Sequence, residues 1–128
     1  MPFDASHLPG ILALCDAERW ASLPSDPERA LRILTDASGA TLVAVDDREV
    51  IGFAFAIVDG GPLDAYLSML VVSGARRREG IARMLVAVVF RHTGAQRIDL
   101  LAEPGSENFY DAFPHRKFAG YRLYPGST

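Results

Sequence analysis

The sequence predicts an α/β (α+β) fold, in which helices and strands follow one another along the chain. Two observations support this class. Some segments repeat apolar residues at helical spacing, and others are short β-rich runs between turn residues. A length of 128 residues with a hydrophobic content of 49% is typical of one globular domain with a buried core. Residues 1–128 are therefore predicted to form a single domain.

Two helices are predicted to open the chain. The first covers about 7–19, where apolar residues follow helical spacing, and it includes Cys15 as a small packed hydrophobe. The second covers about 26–37 and stops near Gly39. Its start is predicted from residues 25–28, which combine a capping residue, a helix-start proline and a glutamate placed for a capping box.

Three strands are predicted next. The β-rich runs 41–45 and 50–58 flank a turn over 46–49, which indicates an antiparallel hairpin. A second turn over 59–62 leads into a third strand over 65–72.

The second half of the chain begins with an amphipathic helix. It covers about 80–90, where apolar residues recur at i, i+3, i+4, i+7 and i+8, and Gly94 ends it. A strand over 97–101, a short helix over 107–113 and a last strand over 118–124 complete the prediction.

The most informative stretch is residues 76–82, which read Arg-Arg-Arg-Glu-Gly-Ile-Ala between the third strand and this helix. The first N–H groups of a helix lack partners within it, and the helix dipole adds positive charge there. Gly80 lets a ligand approach the backbone closely, and the arginines add charge. The stretch therefore predicts a site for a phosphate or pyrophosphate. Neither the Rossmann fingerprint nor the P-loop pattern occurs.

The spacing Arg77-x-x-Gly80-x-Ala82 after a hydrophobic strand resembles the coenzyme A pyrophosphate loop of the GNAT superfamily of N-acetyltransferases. A second signature of that family, Phe-Tyr followed by Gly-Phe, resembles Asn-Phe-Tyr at 108–110 and Phe-Ala-Gly-Tyr at 118–121. The two signatures lie at the expected separation, and the order of predicted elements agrees with the family.

The resemblance covers about residues 5–124. It implies a GNAT-like mixed, mostly antiparallel central sheet flanked by helices, which splits where two neighbouring parallel strands diverge and admits acyl-CoA. Only residues 1–3 are available for the family's first strand, which is therefore predicted to be stunted or missing. We expect this to leave the edge of the strand at 41–45 unpaired and to favour a homodimer, because open strand edges invite pairing with another chain.

The resemblance also implies an activity. The chain would transfer an acetyl group from acetyl-CoA directly to an amine of a small molecule or a protein, without a metal. Tyr110 matches the family tyrosine that protonates the leaving thiolate, although it also fits a core residue with its hydroxyl at the surface. A non-catalytic acyl-CoA-binding or sensing domain is the alternative that the stunted strand favours. A domain for another phosphate ligand is a weaker reading.

The third strand would supply backbone groups to the pantetheine arm and to the thioester carbonyl. The implied cofactor-binding residues are Leu70, Val71, Val72, Arg77, Arg78, Glu79, Gly80, Ile81, Ala82 and Asn108. The general base stays open among Asp64, Glu103, Asp111 and His115. Asp16, Glu18 and Trp20 fall near the junction of the first two helices, where the family's acceptor pocket has a wall.

Composition excludes several function classes. A formal net charge of −3 gives no electrostatic basis for nucleic-acid binding, and no apolar stretch is long enough to span a bilayer. No His, Cys or carboxylate spacing is typical of a metal site, and one cysteine allows no intrachain disulfide. The N-terminus lacks the features of a secretory signal, so we expect a cytoplasmic protein.

Overall fold

The computed structural model describes residues 1–20, 23, 26–58 and 64–126. The chain begins with a 3-10 turn, Ala5–His7, that leads into helix α1, Leu8–Ala17. Helix α2 covers Pro27–Leu34 and begins as expected, with the Asp26 carboxylate accepting the backbone N–H of Glu28 at 3.0 Å. It is shorter than predicted. Ser25 lies outside the described residues.

A four-stranded sheet follows, in the order β1-β2-β3-β4. Its strands are β1 Gly39–Asp46, β2 Glu49–Val58, β3 Asp64–Val72 and β4 Arg97–Asp99. The first three are antiparallel neighbours, and β4 runs parallel to β3. The predicted mixed, mostly antiparallel sheet is therefore confirmed. The predicted turn over 59–62 lies outside the described residues.

Two more helices complete the fold. Helix α3, Ile81–Thr93, connects β3 to β4 and ends at Gly94, which has a φ of 71°. Helix α4, Glu107–Asp111, follows β4 and is shorter than its predicted span. Strand β4 also stops short of its predicted end.

Apolar side chains bury both faces of the sheet. On one face, Phe53, Met69 and Val71 pack with residues of α1 and α2, including Ile11 and Leu14. On the other, a second cluster packs against α3; its buried members from that helix are Ile81, Leu85, Val86 and Val89. Strand β2 is buried on both sides, which explains its almost continuous apolar sequence.

The N-terminal residues form the stunted first strand that the sequence predicts. Pro2 pairs antiparallel with Leu42, and the N–H of Phe3 donates to the Thr41 carbonyl at 3.0 Å. The N–H of Val43 in turn donates to the carbonyl of Met1 at 2.8 Å. The expectation of an open β1 edge is therefore wrong, because even three residues suffice to pair this part of it.

The predicted last strand over 118–124 is also wrong. Residues 115–126, here named the C-terminal arm, form neither helix nor strand and pair with no strand within the described chain. A Cβ at Gly120 would overlap the side chain of Leu101, so the arm lies beside the segment after β4 without entering the sheet. A segment with strand propensity forms a strand only when a neighbouring strand is available for pairing. Strand β4 ends at Asp99, so it offers the arm no such partner.

No helix in the described part of the chain combines the length and hydropathy that a bilayer crossing requires.

Candidate functional site

The sheet opens between its two parallel strands. Pairing of β3 with β4 covers three residue pairs and ends at Tyr66 and Asp99. Beyond that point, the side of β3 that faces away from β2 has no strand partner within the described ranges. The predicted split of the sheet is confirmed, and it exposes a row of backbone polar groups.

A β-bulge lies at the start of this open edge. Phe55 of β2 pairs with Met69, and the next residue, Ala56, pairs with Leu67. Ser68 is thus the extra residue on β3, and it is exposed. A bulge interrupts the ladder and re-aims the side chains around it, so it widens the opening where the two strands separate.

The backbone direction along the open edge follows from one hydrogen bond. The N–H of Ser73 donates to the Ile51 carbonyl of β2 at 2.8 Å. Because N–H groups alternate sides along a strand, the N–H of Val71, like that of Ser73, points toward β2. The N–H groups of Leu70 and Val72 consequently point into the split.

A cleft of about 60 Å³ occupies the split. It is lined by residues from β3, from the segment that follows β4, from α4 and its N-cap, and from the turn after α1. These are Trp20, Leu67, Ser68, Leu70, Leu100, Leu101, Glu103, Ser106 and Tyr110. The cleft therefore joins the predicted catalytic tyrosine to the strand predicted to bind the pantetheine arm.

Tyr110 reaches the cleft from α4. Its ring packs edge-on against Phe109, with 4.9 Å between the ring centroids. Burial raises the pKa of the Tyr110 phenol above its ordinary value, so the group keeps its proton throughout the neutral range.

Only one of the four candidate bases lines this cleft, namely Glu103. Asp64 instead contacts Arg97, with 2.6 Å between Oδ1 and Nε, and this bond lowers the pKa of the Asp64 carboxyl. Asp111 and His115 lie close to each other, with 3.6 Å between Oδ1 and Nε2. The structure thus brings Glu103 and Tyr110 together and places the other three elsewhere.

A second feature lies at the start of α3. Gly80 is the N-cap residue of this helix, with a φ of 79°, and no side chain caps the first turn. A Cβ built at Gly80 would meet no atom within 4 Å, so the backbone there faces open space. The N–H groups of the first turn and the dipole of a 13-residue helix consequently point at open space that an anion can reach.

The three arginines of the loop have different environments. Arg76 bridges Asp46 at 2.9 Å and Glu79 at 3.0 Å, and these partners raise its pKa. Arg77 contacts Glu18, with 2.8 Å between Nη2 and Oε1. Arg78 is exposed, and its backbone adopts a φ of 67°. Arg76 thus holds the loop on the sheet, whereas Arg78 forms no ion pair within the described ranges.

The remaining predicted residues have clear positions. Val71 and Ile81 are buried in the two cores. The backbone N–H and C=O of Val71 face β2, so Val71 offers no group to the split, whereas Ile81 can offer a ligand its backbone N–H. Asn108 is exposed on α4 and does not line the cleft. Ala82, on the first turn of α3, is half-buried.

Two features are not predicted from the sequence. The bulge at Ser68 has one weak signal, a lone hydroxyl residue within an apolar run. Glu18 is expected only near the acceptor wall, and its contacts with Gly74 and Arg77 join residues distant in sequence. Within the described ranges, no group of three His, Cys, Asp or Glu side chains is placed to hold a metal ion.

Solved structures share this architecture. AAC(6')-Iy in complex with the bisubstrate analogue CoA-S-monomethyl-acetylneamine is 22% identical, with coverage of 100% of this chain and 97% of its own and a TM-score of 0.78. The aminoglycoside N-acetyltransferase AAC(6')-Iy in complex with CoA gives 22% identity, coverage of 97% and 91%, and a TM-score of 0.77. A ribosomal-protein-alanine N-acetyltransferase from Brucella melitensis biovar Abortus 2308 gives 18% identity, coverage of 97% and 96%, and a TM-score of 0.76.

At such identities, these similarities establish the fold alone. No curated protein matches the chain. Residues 10–113, however, match the family model described as the acetyltransferase (GNAT) family, and this span includes the split, the cleft and the arginine loop. The chain belongs to the GNAT family of acetyltransferases.

Proposed function

We propose that this chain is an N-acetyltransferase that moves an acetyl group from acetyl-CoA to an amine of a small molecule or a protein. The observation that carries the proposal is the cleft, in which the open edge of β3 meets both Tyr110 and Glu103. An acyl-transfer site needs backbone donors, an acid and a base near one reacting carbonyl. All three lie around this one opening.

The proposed binding mode of acetyl-CoA uses both features of the site. The N-terminus of α3 would hold the pyrophosphate, since Gly80 leaves space for it and Arg78 adds charge. The N–H groups of Leu70 and Val72 would hold the pantetheine arm and the thioester carbonyl. As a thioester, acetyl-CoA supplies an activated acetyl group.

Glu103 is the proposed base. An alkyl ammonium of pKa about 10.4 is almost entirely protonated at neutral pH and cannot attack a carbonyl. The Glu103 carboxylate would attract the cationic acceptor and accept its proton, directly or through water. As the amine nitrogen bonds to the acetyl carbon, backbone N–H groups of β3 would stabilise the charge on the carbonyl oxygen.

Tyr110 is the proposed acid. When the bond between carbon and sulfur breaks, the departing thiolate has a pKa of about 8.5, and the phenol would donate its proton to that sulfur. The raised pKa of Tyr110 keeps this proton available. Because the pKa of the phenol lies above that of the thiol, complete transfer of the proton from Tyr110 to a free thiolate is unfavourable. Tyr110 is therefore expected to donate a hydrogen bond, and part of its proton, while negative charge develops on the sulfur.

The proposal is tested by measuring thiol release from acetyl-CoA. The acceptors are a panel of aminoglycosides, polyamines and peptides with free N-termini. We expect turnover with at least one cationic amine. Tyr110→Phe removes only the hydroxyl and should slow turnover by ~10²–10⁴-fold with little effect on CoA affinity. Equal turnover in this variant, with chemistry shown to be rate-limiting, would eliminate the acid role.

The non-catalytic alternative makes the opposite prediction. A sensing domain would bind CoA, as measured by calorimetry, but release no thiol with any amine of the panel. The feature that favours this alternative is a compromised first strand, but residues 1–3 pair with β1. We therefore favour the enzyme, acting as one domain over residues 1–128 in the cytoplasm.

We also propose a homodimer, now through the C-terminal arm. Four large apolar side chains of the arm are 71–89% exposed, namely Phe118, Tyr121, Leu123 and Tyr124. The arm lies next to the cleft, because Nη2 of Arg122 is 3.9 Å from Oε1 of Glu103, a residue that lines the cleft. Buried aromatic side chains cover about 150–250 Å² each, so two exchanged arms would reach the roughly 1,000 Å² of a specific interface.

Light scattering at micromolar concentration tests the dimer. One chain has a mass of 13.9 kDa, and we expect twice that mass for the parent protein. The double variant Tyr121→Ser with Leu123→Ser should shift the mass to that of one chain. A parent protein that keeps the mass of one chain at every concentration would contradict this proposal.

A further inference from the structure

Glu18 lies between the two halves of the proposed site. It is the residue that ends α1, and its side chain is 18% exposed. One carboxylate oxygen accepts the backbone N–H of Gly74 at 2.8 Å, and the other accepts from Arg77 at 2.8 Å. A single carboxylate thus ties α1 to the loop that precedes α3.

The contact with Gly74 is close enough to restrict the sequence. A Cβ at that position would lie 3.2 Å from Oε2 of Glu18, tighter than an ordinary contact. Gly74 therefore lets the carboxylate reach the loop backbone.

Two residues after Glu18, the chain reaches the cleft. Trp20 lines the cleft, and its backbone N–H donates to the Cys15 carbonyl at 2.8 Å. Arg19, between them, adopts a left-handed conformation with a φ of 56°. The link from Glu18 to Trp20 is therefore short and anchored to α1, so a shift of one residue is passed to the other.

The indole of Trp20 has an unusual environment. Its Nε1 is buried and finds no hydrogen-bond partner among the described residues. A buried donor without a partner costs free energy, so Trp20 gains from any movement or ligand that satisfies it. The wall of the cleft that it forms is thus poised to respond to small displacements of α1.

We infer that Glu18 is a positioning residue that couples occupancy of the arginine loop to the acceptor wall at Trp20. The inference rests on the proposed function. A pyrophosphate on the loop competes with the carboxylate for Arg77, so the contact between Glu18 and Arg77 differs between the bound and unbound states. Such a differential contact is what a coupling between two sites requires.

The coupling is reciprocal. A ligand on the loop that shifts Trp20 changes the affinity for the acceptor, and the acceptor changes the affinity for CoA by the same factor.

The chain provides its own probe, because Trp20 is its only tryptophan. The ligand for the test is 3′-phosphoadenosine 5′-diphosphate, which has the pyrophosphate of CoA but no pantetheine arm to reach Trp20. Calorimetry measures its binding, and tryptophan emission reports the response of the cleft. In the parent protein, we expect an emission change that saturates with the calorimetric dissociation constant.

Two variants isolate the contact. Glu18→Gln can still accept the N–H of Gly74 but loses the ion pair with Arg77. It should bind the nucleotide with its emission unchanged. Glu28→Gln makes the same change at an exposed position on α2 that does not line the cleft, and it should respond like the parent.

The outcomes separate the inference from the proposed function. Nucleotide binding to the parent without an emission change, or an equal change in Glu18→Gln, would overturn the coupling alone. If the parent binds neither the nucleotide nor CoA, the placement of the pyrophosphate is wrong, and the coupling is wrong with it.

Discussion

Adding a carboxylate at Gly80 should oppose the binding of CoA without harming the fold. No atom lies within 4 Å of a Cβ at this position, so a side chain there meets no steric barrier. The φ of 79° disfavours most residues, but Asp and Asn adopt this region more readily than others. Gly80→Asp and Gly80→Asn therefore form a matched pair that differs in charge and not in shape.

The size of the effect follows from the distances involved. A new carboxylate about 5 Å from a phosphate charge would be repelled by ~0.8 kcal/mol in water and by ~3 kcal/mol at an effective dielectric constant of about 20. A difference of 1.4 kcal/mol is tenfold in affinity. Gly80→Asp should consequently bind CoA about 4- to 140-fold more weakly than Gly80→Asn, and added salt should reduce this difference in affinity.

Stability should change in the opposite direction. A negative charge at a helix N-terminus is favourable by about 0.3–1 kcal/mol, so the Asp variant should melt at or above the temperature of the Asn variant. Calorimetric titration with CoA and thermal melts of both variants provide the measurement. Equal CoA affinity in the two folded variants would show that the pyrophosphate does not bind at the start of α3.

Two further predictions concern the core. Burial raises the pKa of the Cys15 thiol to about 11, so alkylation at pH 8 should be slow until the protein is denatured, and equal rates would contradict its burial. The folded protein holds the Cys15 proton more tightly than the unfolded chain, whose thiol pKa is 9.0. The stability that the protonated, buried thiol contributes is therefore fully present below pH 9.0 and should be lost as pH rises through about 11. Phe53 is 0% exposed, and Phe53→Ala should lower the free energy of unfolding by about 3–5 kcal/mol in a thermal or denaturant melt. Phe53→Leu keeps more of the volume and should cost clearly less, and equal losses would argue against a tightly packed site.

The sequence predicted those elements whose signals are local. The apolar spacing of α3 and the glycines at 80 and 94 define a helix that the structure reproduces almost to its ends. The buried runs of β2 and β3 were equally clear, because each combines apolar residues with flanking turns. The arginine loop was recognisable for the same reason, since it is contiguous in the chain.

Features that depend on distant partners could not be predicted in this way. The C-terminal arm has the composition of a strand, but nothing in its own sequence reveals whether a neighbour is available for pairing. The bulge at Ser68 depends on the register between two strands. Similarly, the contact of Glu18 with Gly74 joins residues 56 positions apart, and only the folded chain brings them together.

The open edge of β3 has a consequence for how such proteins diverge. Main-chain N–H groups at Leu70, at Val72 and in the first turn of α3 are the same for almost any residue type. The side chains of the proposed cofactor site can therefore change while its backbone donors stay in place. The proposed acceptor wall, by contrast, is built from side chains such as Trp20 and Glu103, so substitutions there can suit a new amine without disturbing the backbone donors.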